Sequence, residues 1–197
     1  MKKTIPEGAI LIPDNAVKTY SGVIFDVYQW PQEMFDGAKK TFEMLKRWDT
    51  LQIIAIKDGK IVIVKDEQPG RPVQTHVPGG RSDDSDTSWL AAAQREMLEE
   101  TGMSFKNWRL IAVEQPQPKI EWFGVFYLAT DFVDQIDQNL DSGEKIEVLR
   151  WDFNYLRNYV LTGTEPTLNY MIPLMNACKT LDDLLVLPEF TGIETDR

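Results

Sequence analysis

Gly79-Gly80-Arg81-Ser82-Asp83-Asp84-Ser85-Asp86-Thr87-Ser88-Trp89-Leu90-Ala91-Ala92-Ala93-Gln94-Arg95-Glu96-Met97-Leu98-Glu99-Glu100-Thr101-Gly102-Met103 is the stretch on which the reading of this chain turns. Residues 87–101 form the clearest helix in the sequence. Asp86, Thr87 and Ser88 are all able to cap its free N–H groups, and Gly102 stops it. At ~100° per residue, Glu96, Glu99 and Glu100 stand at i, i+3 and i+4 and project from one face. Like charges at those spacings destabilise a bare helix by a few tenths of a kcal/mol per pair, so the cluster calls for a compensating cation. Carboxylate oxygens suit Mg²⁺ or Mn²⁺. Arg95, beside them, can fix a carboxylate through its planar donor fork. A solvated acidic face would explain the Glu99-Glu100 pair alone. It does not explain the Gly-Gly turn and the small-residue run Ala91-Ala92-Ala93 that precede the three carboxylates.

Outward from this stretch, strands dominate. Residues 22–30 are rich in β-branched and aromatic types and read as a strand, with a second at 40–46. Residues 51–57 and 60–65 flank Asp58-Gly59, the strongest short hairpin signal, because Gly accepts positive φ without a Cβ penalty. Residues 68–77 are loop until about 75, given Pro69, Gly70 and Pro72. After the helix, 108–114 and 121–130 read as strands separated by a Pro116/Pro118 turn, and 146–151 as another. Helices are expected at 154–161 and 167–179, with Pro173 kinking the second. This order predicts a mixed sheet packed between helices.

With 197 residues and 43% hydrophobic content, the chain suits one well-buried domain. The N-terminus does not read as a signal peptide, and no run approaches the ~20 apolar residues of a membrane helix. A soluble cytoplasmic protein with no membrane partner is therefore expected. The single cysteine, Cys178, excludes an intrachain disulfide and multi-cysteine metal sites. A net charge of −10 argues against a broad basic surface for nucleic acid. An anionic ligand would need a supplied cation.

Residues 95–103 match the second half of the Nudix box position for position, and the chain resembles the Nudix hydrolases. The resemblance implies an α/β fold: an α/β/α sandwich with a mixed β-sheet. It implies metal binding by Glu96, Glu99 and Glu100, with the Gly79 carbonyl as a further ligand, and a small-molecule nucleotide substrate. The first half of the box departs from the pattern of Gly, five residues, Glu, seven residues, Arg. Counting forward from Gly80 puts Asp86 at the acidic position, whereas counting back from Arg95 puts Thr87 there.

Beyond the box, the chain is similar to ADP-ribose pyrophosphatases in residues 31–37, in Pro118, Glu121 and the 126–129 strand, and in the acidic loop Asp141-Ser142-Gly143-Glu144. That likeness makes ADP-ribose or a nucleotide sugar the leading substrate and implies a homodimer built on residues 1–48, an N-terminal strand extension to a hydrolase domain at 49–197. Glu114-Gln115-Pro116-Gln117-Pro118 partly resembles an NADH pyrophosphatase motif, which ranks second, alongside dinucleoside polyphosphates. A non-catalytic nucleotide-sensing module ranks below both, because all three helix carboxylates remain. Arg71 and Arg81 flank the site and can grip phosphate, unless they are simply solvated. Tyr28 and Trp30 offer aromatic faces to a nucleobase, with a core or interface role as the alternative. Glu144, rather than the lone His76, is expected to join Glu100 and Arg95 in the catalytic set, with Glu121 and Asp141 as competitors for its role.

Overall fold

A computed structural model describes residues 1–163 and 165–196. The hairpin expected at Asp58-Gly59 joins β5 (Thr50–Lys57) to β6 (Lys60–Glu67), with φ of 53° and 71° at its two turn residues. The two strands pair only at the tip, Ile56 with Ile61 and Lys57 with Lys60. Beyond it they splay, and the chain that follows fills the gap. β7 (Gln74–His76) bonds to β6, and then Pro78 O and Gly80 O each accept from β5, from Ile53 N and Leu51 N, at 2.8 Å. The segment leading to the helix is therefore held in the sheet as a strand would be.

α1 (Trp89–Thr101) starts at Ser88, whose hydroxyl accepts from Ala91 N at 3.0 Å, and ends at Gly102 in the left-handed conformation. The chain turns there directly into β8 (Met103–Glu114), so this strand begins five residues before the sequence suggests. Met103-Ser104-Phe105-Lys106 alternates apolar and polar residues as a half-buried strand does. Its pairing with the far end of β10 (Gly124–Gln135) makes it strand. β10 returns antiparallel to β8 and parallel to β5, while β11 (Lys145–Trp151) closes the other edge against β6.

The central strands are apolar in succession because both faces are covered. Leu51, Ile53, Val62 and Val125 pack under Trp89, Ala92, Ala93 and Met97 of α1. Ile54, Ile61, Ile63 and Leu128 pack on the other face, against α2 (Phe153–Leu161), a 3₁₀ turn (Pro166–Met171), α3 (Ile172–Ala177) and α4 (Leu181–Leu185). The result is an α/β/α sandwich around a mixed sheet. The long helix expected at 167–179 is instead split. Pro173, which lacks an N–H, sits in the first turn of α3, where no intrahelical donor is needed, so it begins a helix and does not kink one.

The N-terminal strands divide between two places. β1 (Lys3–Ile5) pairs with β12 (Ile193–Thr195), and Ile5 enters the main core. β2 (Val17–Ser21), β3 (Asp26–Glu33) and β4 (Lys39–Lys46) form a separate sheet with β9 (Ile120–Glu121). The strand expected at 22–30 is displaced: residues 22–25 are a turn closed by Gly22 N to Phe25 O at 2.9 Å, and β3 runs on through Pro31. No β2 residue pairs beyond Gln29, so Pro31 falls where that edge is open.

Asp49, at the start of β5, ties these parts together. Its carboxylate, 2% exposed, meets Lys3 Nζ at 2.6 Å and accepts from Trp89 Nε1 and Phe123 N, both at 2.9 Å. Its carbonyl accepts from Ser82 N at 2.9 Å. Removing the carboxylate leaves a buried ammonium and two buried N–H groups without partners. Asp49→Ala is expected to cost about 3–5 kcal/mol, read as a Tm fall of roughly 10 °C or more in thermal denaturation. A change within 2 °C would show that these groups find other partners.

Candidate active site

A cleft of about 530 Å³ opens where β5 and β6 diverge. One wall is the acidic face of α1. Glu100 is buried, and its Oε2 accepts from Gly79 N at 2.8 Å. Gly79 lies at φ 154°, and a Cβ there would sit 2.0 Å from Leu51 O. A Cβ on Gly80 would sit 2.3 Å from Glu96 Oε2. The glycine pair is thus required by close approach on both sides, to strand backbone at 79 and to a site carboxylate at 80.

Arg95 holds the other helix carboxylates. Its Nη1 donates to Glu96 at 2.8 Å and to Glu99 at 2.9 Å, while its Nε and Nη2 donate to Asp86 at 3.1 and 2.9 Å and Nη2 also to Arg81 O at 3.0 Å. This geometry decides which acidic position faces the arginine. Asp86 does, bidentate and almost fully buried at its side chain, and Thr87 is left exposed as the extra residue before the helix.

Burial disfavours charge on this wall. It pushes Glu96 up to about 7, against the pull of Arg95, and raises Glu100 well above the carboxylate range despite the Gly79 N–H. Glu144 on the far wall is raised by burial, then by Asp66 and Asp141. Hydrogen bonds to Asp86 hold Arg95 firmly cationic.

The far wall comes from the loops after β6 and before β11 and from the C-terminal 3₁₀ turn. Arg71, Gln68, Asp141 and Glu144 line it, with Thr167 and Tyr170 behind. His76 also faces the cleft, but its Nδ1 is 2.8 Å from Val77 O, a carbonyl that fixes the ring by accepting from it. Gly79, Arg81, Arg95, Glu96, Glu99 and Glu100 complete the lining.

The NUDIX domain family matches residues 46–155, more than half of the chain. The chain belongs to the NUDIX domain family. Among solved structures it is similar to one described as "ADP compounds hydrolase", at 16% identity and a TM-score of 0.62, covering 87% of this chain and 95% of that one. It is also similar to a NUDIX hydrolase from Nitrosomonas europaea, at 19% identity and a TM-score of 0.52, covering 73% and 92% of the two chains. Comparison with curated proteins finds no match. By family and by fold, then, this is a Nudix hydrolase, and among its described residues no helix is long and apolar enough to cross a membrane.

Four residues that the sequence points to lie outside the Nudix cleft. Trp30 is buried with Ile12 and Met44, its ring 5.3 Å from that of Phe42. Pro118 borders the same small apolar cluster. Glu121 is spent on structure, accepting from Lys46 Nζ at 2.6 Å and Ile12 N at 2.7 Å. Tyr28 borders a neighbouring groove with Lys46, Arg47 and Trp48. All four belong to or beside the N-terminal sheet, and the groove that Tyr28 lines adjoins the cleft, sharing Arg47 and Asp83 with it. Conversely, the cleft contains Asp66, Gln52 and Tyr170, which the sequence analysis did not single out. Strand parity held a signal for Asp66: counting from Val62 and Val64 puts it on the buried face. Tyr170 carried no local signal.

The donor set fits a hard divalent cation. Among the described residues no three Asp, Glu, His or Cys side chains are grouped closely enough to cage an ion alone. Mg²⁺ is usually held by one or two carboxylates together with substrate phosphates, and Glu96, Glu99 and Glu100 on one wall of the cleft can supply them. Glycine substitutions separate the two constraints. Gly79→Ala is expected to lose about 1–3 kcal/mol of stability to overpacking against β5, whereas Gly80→Ala keeps its Tm and moves Glu96. Thermal denaturation with Mn²⁺ titration calorimetry checks this: Gly80→Ala binding Mn²⁺ like wild type would disconnect Glu96 from the cation.

Proposed function

We propose that this Nudix hydrolase cleaves the phosphoanhydride of a nucleoside diphosphate linked to another group, with ADP-ribose or a nucleotide sugar foremost, releasing a nucleoside monophosphate and a sugar phosphate. The observation that carries the reading is that one cleft has Glu96, Glu99 and the buried Glu100 of α1 on one wall and Arg71 with Glu144 on the other. The neighbour described as an ADP compounds hydrolase supports the substrate class.

Glu96, Glu99, Glu100 and the Gly79 carbonyl would hold Mg²⁺ or Mn²⁺, which supplies Lewis acidity to the phosphoryl oxygens and acidifies bound water. Arg71 and Arg81 grip phosphate oxygens and orient the diphosphate. Arg95 keeps Glu96 and Glu99 on the cleft side of α1. Glu144, its pKa raised by burial and neighbouring carboxylates, accepts the proton of the attacking water. The NADH pyrophosphatase reading is disfavoured by Gln115, whose amide is spent on Ile10 N, Ile10 O and Ile120 O.

We also propose a homodimer through the N-terminal sheet. Every residue of β2 is exposed, and Val17, Tyr20 and Val23 are 65%, 64% and 93% exposed. Such an edge invites pairing. Multi-angle light scattering at micromolar concentration is expected to give twice the chain mass, and a monomer would count against this interface.

Activity tests the chemistry. Hydrolysis of ADP-ribose, nucleotide sugars, NADH and dinucleoside polyphosphates is expected to need a divalent cation and to favour the first two. Glu100→Gln should abolish turnover. Glu144→Gln should lower kcat about 10²–10⁴-fold with KM little changed, while His76→Ala does little. Turnover at wild-type level in excess chelator or in Glu100→Gln would sink the hydrolytic reading, and a silent Glu144→Gln would remove that residue from its role.

A further inference from the structure

Asp66 is the buried carboxylate of the cleft to which the proposed reaction gives no task. It sits on β6 between Ile146 of β11 and Gln74 of β7, and its side chain is 4% exposed. One oxygen, Oδ2, is heavily used: Arg71 Nη2 donates to it at 2.5 Å and Gln68 Nε2 at 3.1 Å. The other, Oδ1, is buried with no hydrogen-bond partner among the described residues. The same Gln68 amide also donates to Glu144 Oε1 at 3.1 Å.

A half-satisfied buried carboxylate is costly, so its contacts must be weighed against what they order. Residues 69–73, Pro-Gly-Arg-Pro-Val, are all exposed and have no apolar anchor of their own. They leave β6 beside the point where residues 141–144 enter β11, since Glu67 pairs with Lys145. Asp66 stands at the root of both loops. It holds the guanidinium of one directly and reaches the carboxylate of the other through a single amide.

We propose that Asp66 is a positioning residue that fixes Arg71 for the substrate diphosphate and, through Gln68, fixes Glu144 over the attacking water. Substrate grip and base placement then share one anchor. The proposal rests on the hydrolytic reading for the roles of Arg71 and Glu144, but the anchoring itself is a property of the protein without substrate. It also predicts a sign that a mere charge effect would not give. Removing a negative charge from a site for an anionic substrate would lower KM by relieving repulsion, whereas removing an anchor for Arg71 raises it.

The test compares Asp66→Asn, Gln68→Ala and Arg71→Ala by steady-state kinetics on ADP-ribose and by hydrogen exchange of the substrate-free protein. Arg71→Ala should raise KM about 10- to 100-fold, the worth of a lost charge-assisted hydrogen bond, with exchange in 141–144 unchanged. Gln68→Ala should lower kcat about tenfold with little change in KM and speed exchange in 141–144 alone. Asp66→Asn should do both, and adding Gln68→Ala to it should lower kcat no further. Lower KM in Asp66→Asn, or unchanged exchange in both loops, overturns the proposal. Should Asp66→Asn fail to fold, Gln68→Ala still decides, because unaltered exchange at 141–144 breaks the chain of contacts. A wild-type protein that hydrolyses nothing in the screen would sink the functional reading, while the exchange data would still decide the anchoring.

Discussion

The structure depends on a close approach. Where the β5–β6 hairpin opens, residues 78–80 take the place of a strand beside β5, and α1 comes down on them from the other side. A side chain at Gly79 would occupy the Leu51 carbonyl, and one at Gly80 would occupy the Glu96 carboxylate. The backbone N–H of Gly79 can therefore reach Glu100, and the helix is locked in register with the sheet. Without that contact, the acidic face of α1 would project into solvent like any charged helix, and its carboxylates would have no reason to be buried.

Burial is then balanced by a small number of fixed charges. Arg95 spans the gap between Asp86 in the loop and Glu96 and Glu99 on the helix, so a single guanidinium pairs with three carboxylates and sets the loop against the helix. Glu100 accepts from the Gly79 amide, yet burial still raises its pKa well above the usual carboxylate value. Asp49 plays a similar part at the base of the sandwich, joining Lys3, Trp89 and Phe123. Both sites put one charged side chain where several chain segments meet, so the segments cannot move independently. Buried charges of this kind specify an arrangement more than they add net stability.

The N-terminal strands show how secondary structure and placement come apart. Their aromatic and β-branched residues read as strands from composition, and strands they are. Their partners are remote in sequence: β4 meets β9, and β1 meets β12 at the far end of the chain. Trp30 and Glu121 take part in the packing that joins this sheet to the body.

By itself the sequence determined the elements whose causes are local. Asp58-Gly59 fixed a hairpin, because only such residues accept its positive φ. Gly102 fixed the end of α1, and the spacing of Glu96, Glu99 and Glu100 put three carboxylates on one face. These are statements about neighbours within a few residues, where sterics and helical period suffice. Only the tertiary structure decided that Asp86 and not Thr87 faces Arg95, because an inserted residue can be absorbed at more than one point of a loop. It alone brought Asp66 and Gln68 to Arg71 and Glu144, which lie on two loops whose nearness follows from the pairing of β6 with β11. It alone placed Tyr28, Trp30, Pro118 and Glu121 on or beside the N-terminal sheet. Contacts of that range follow from which strands pair and which faces are buried, and these depend on the whole core at once.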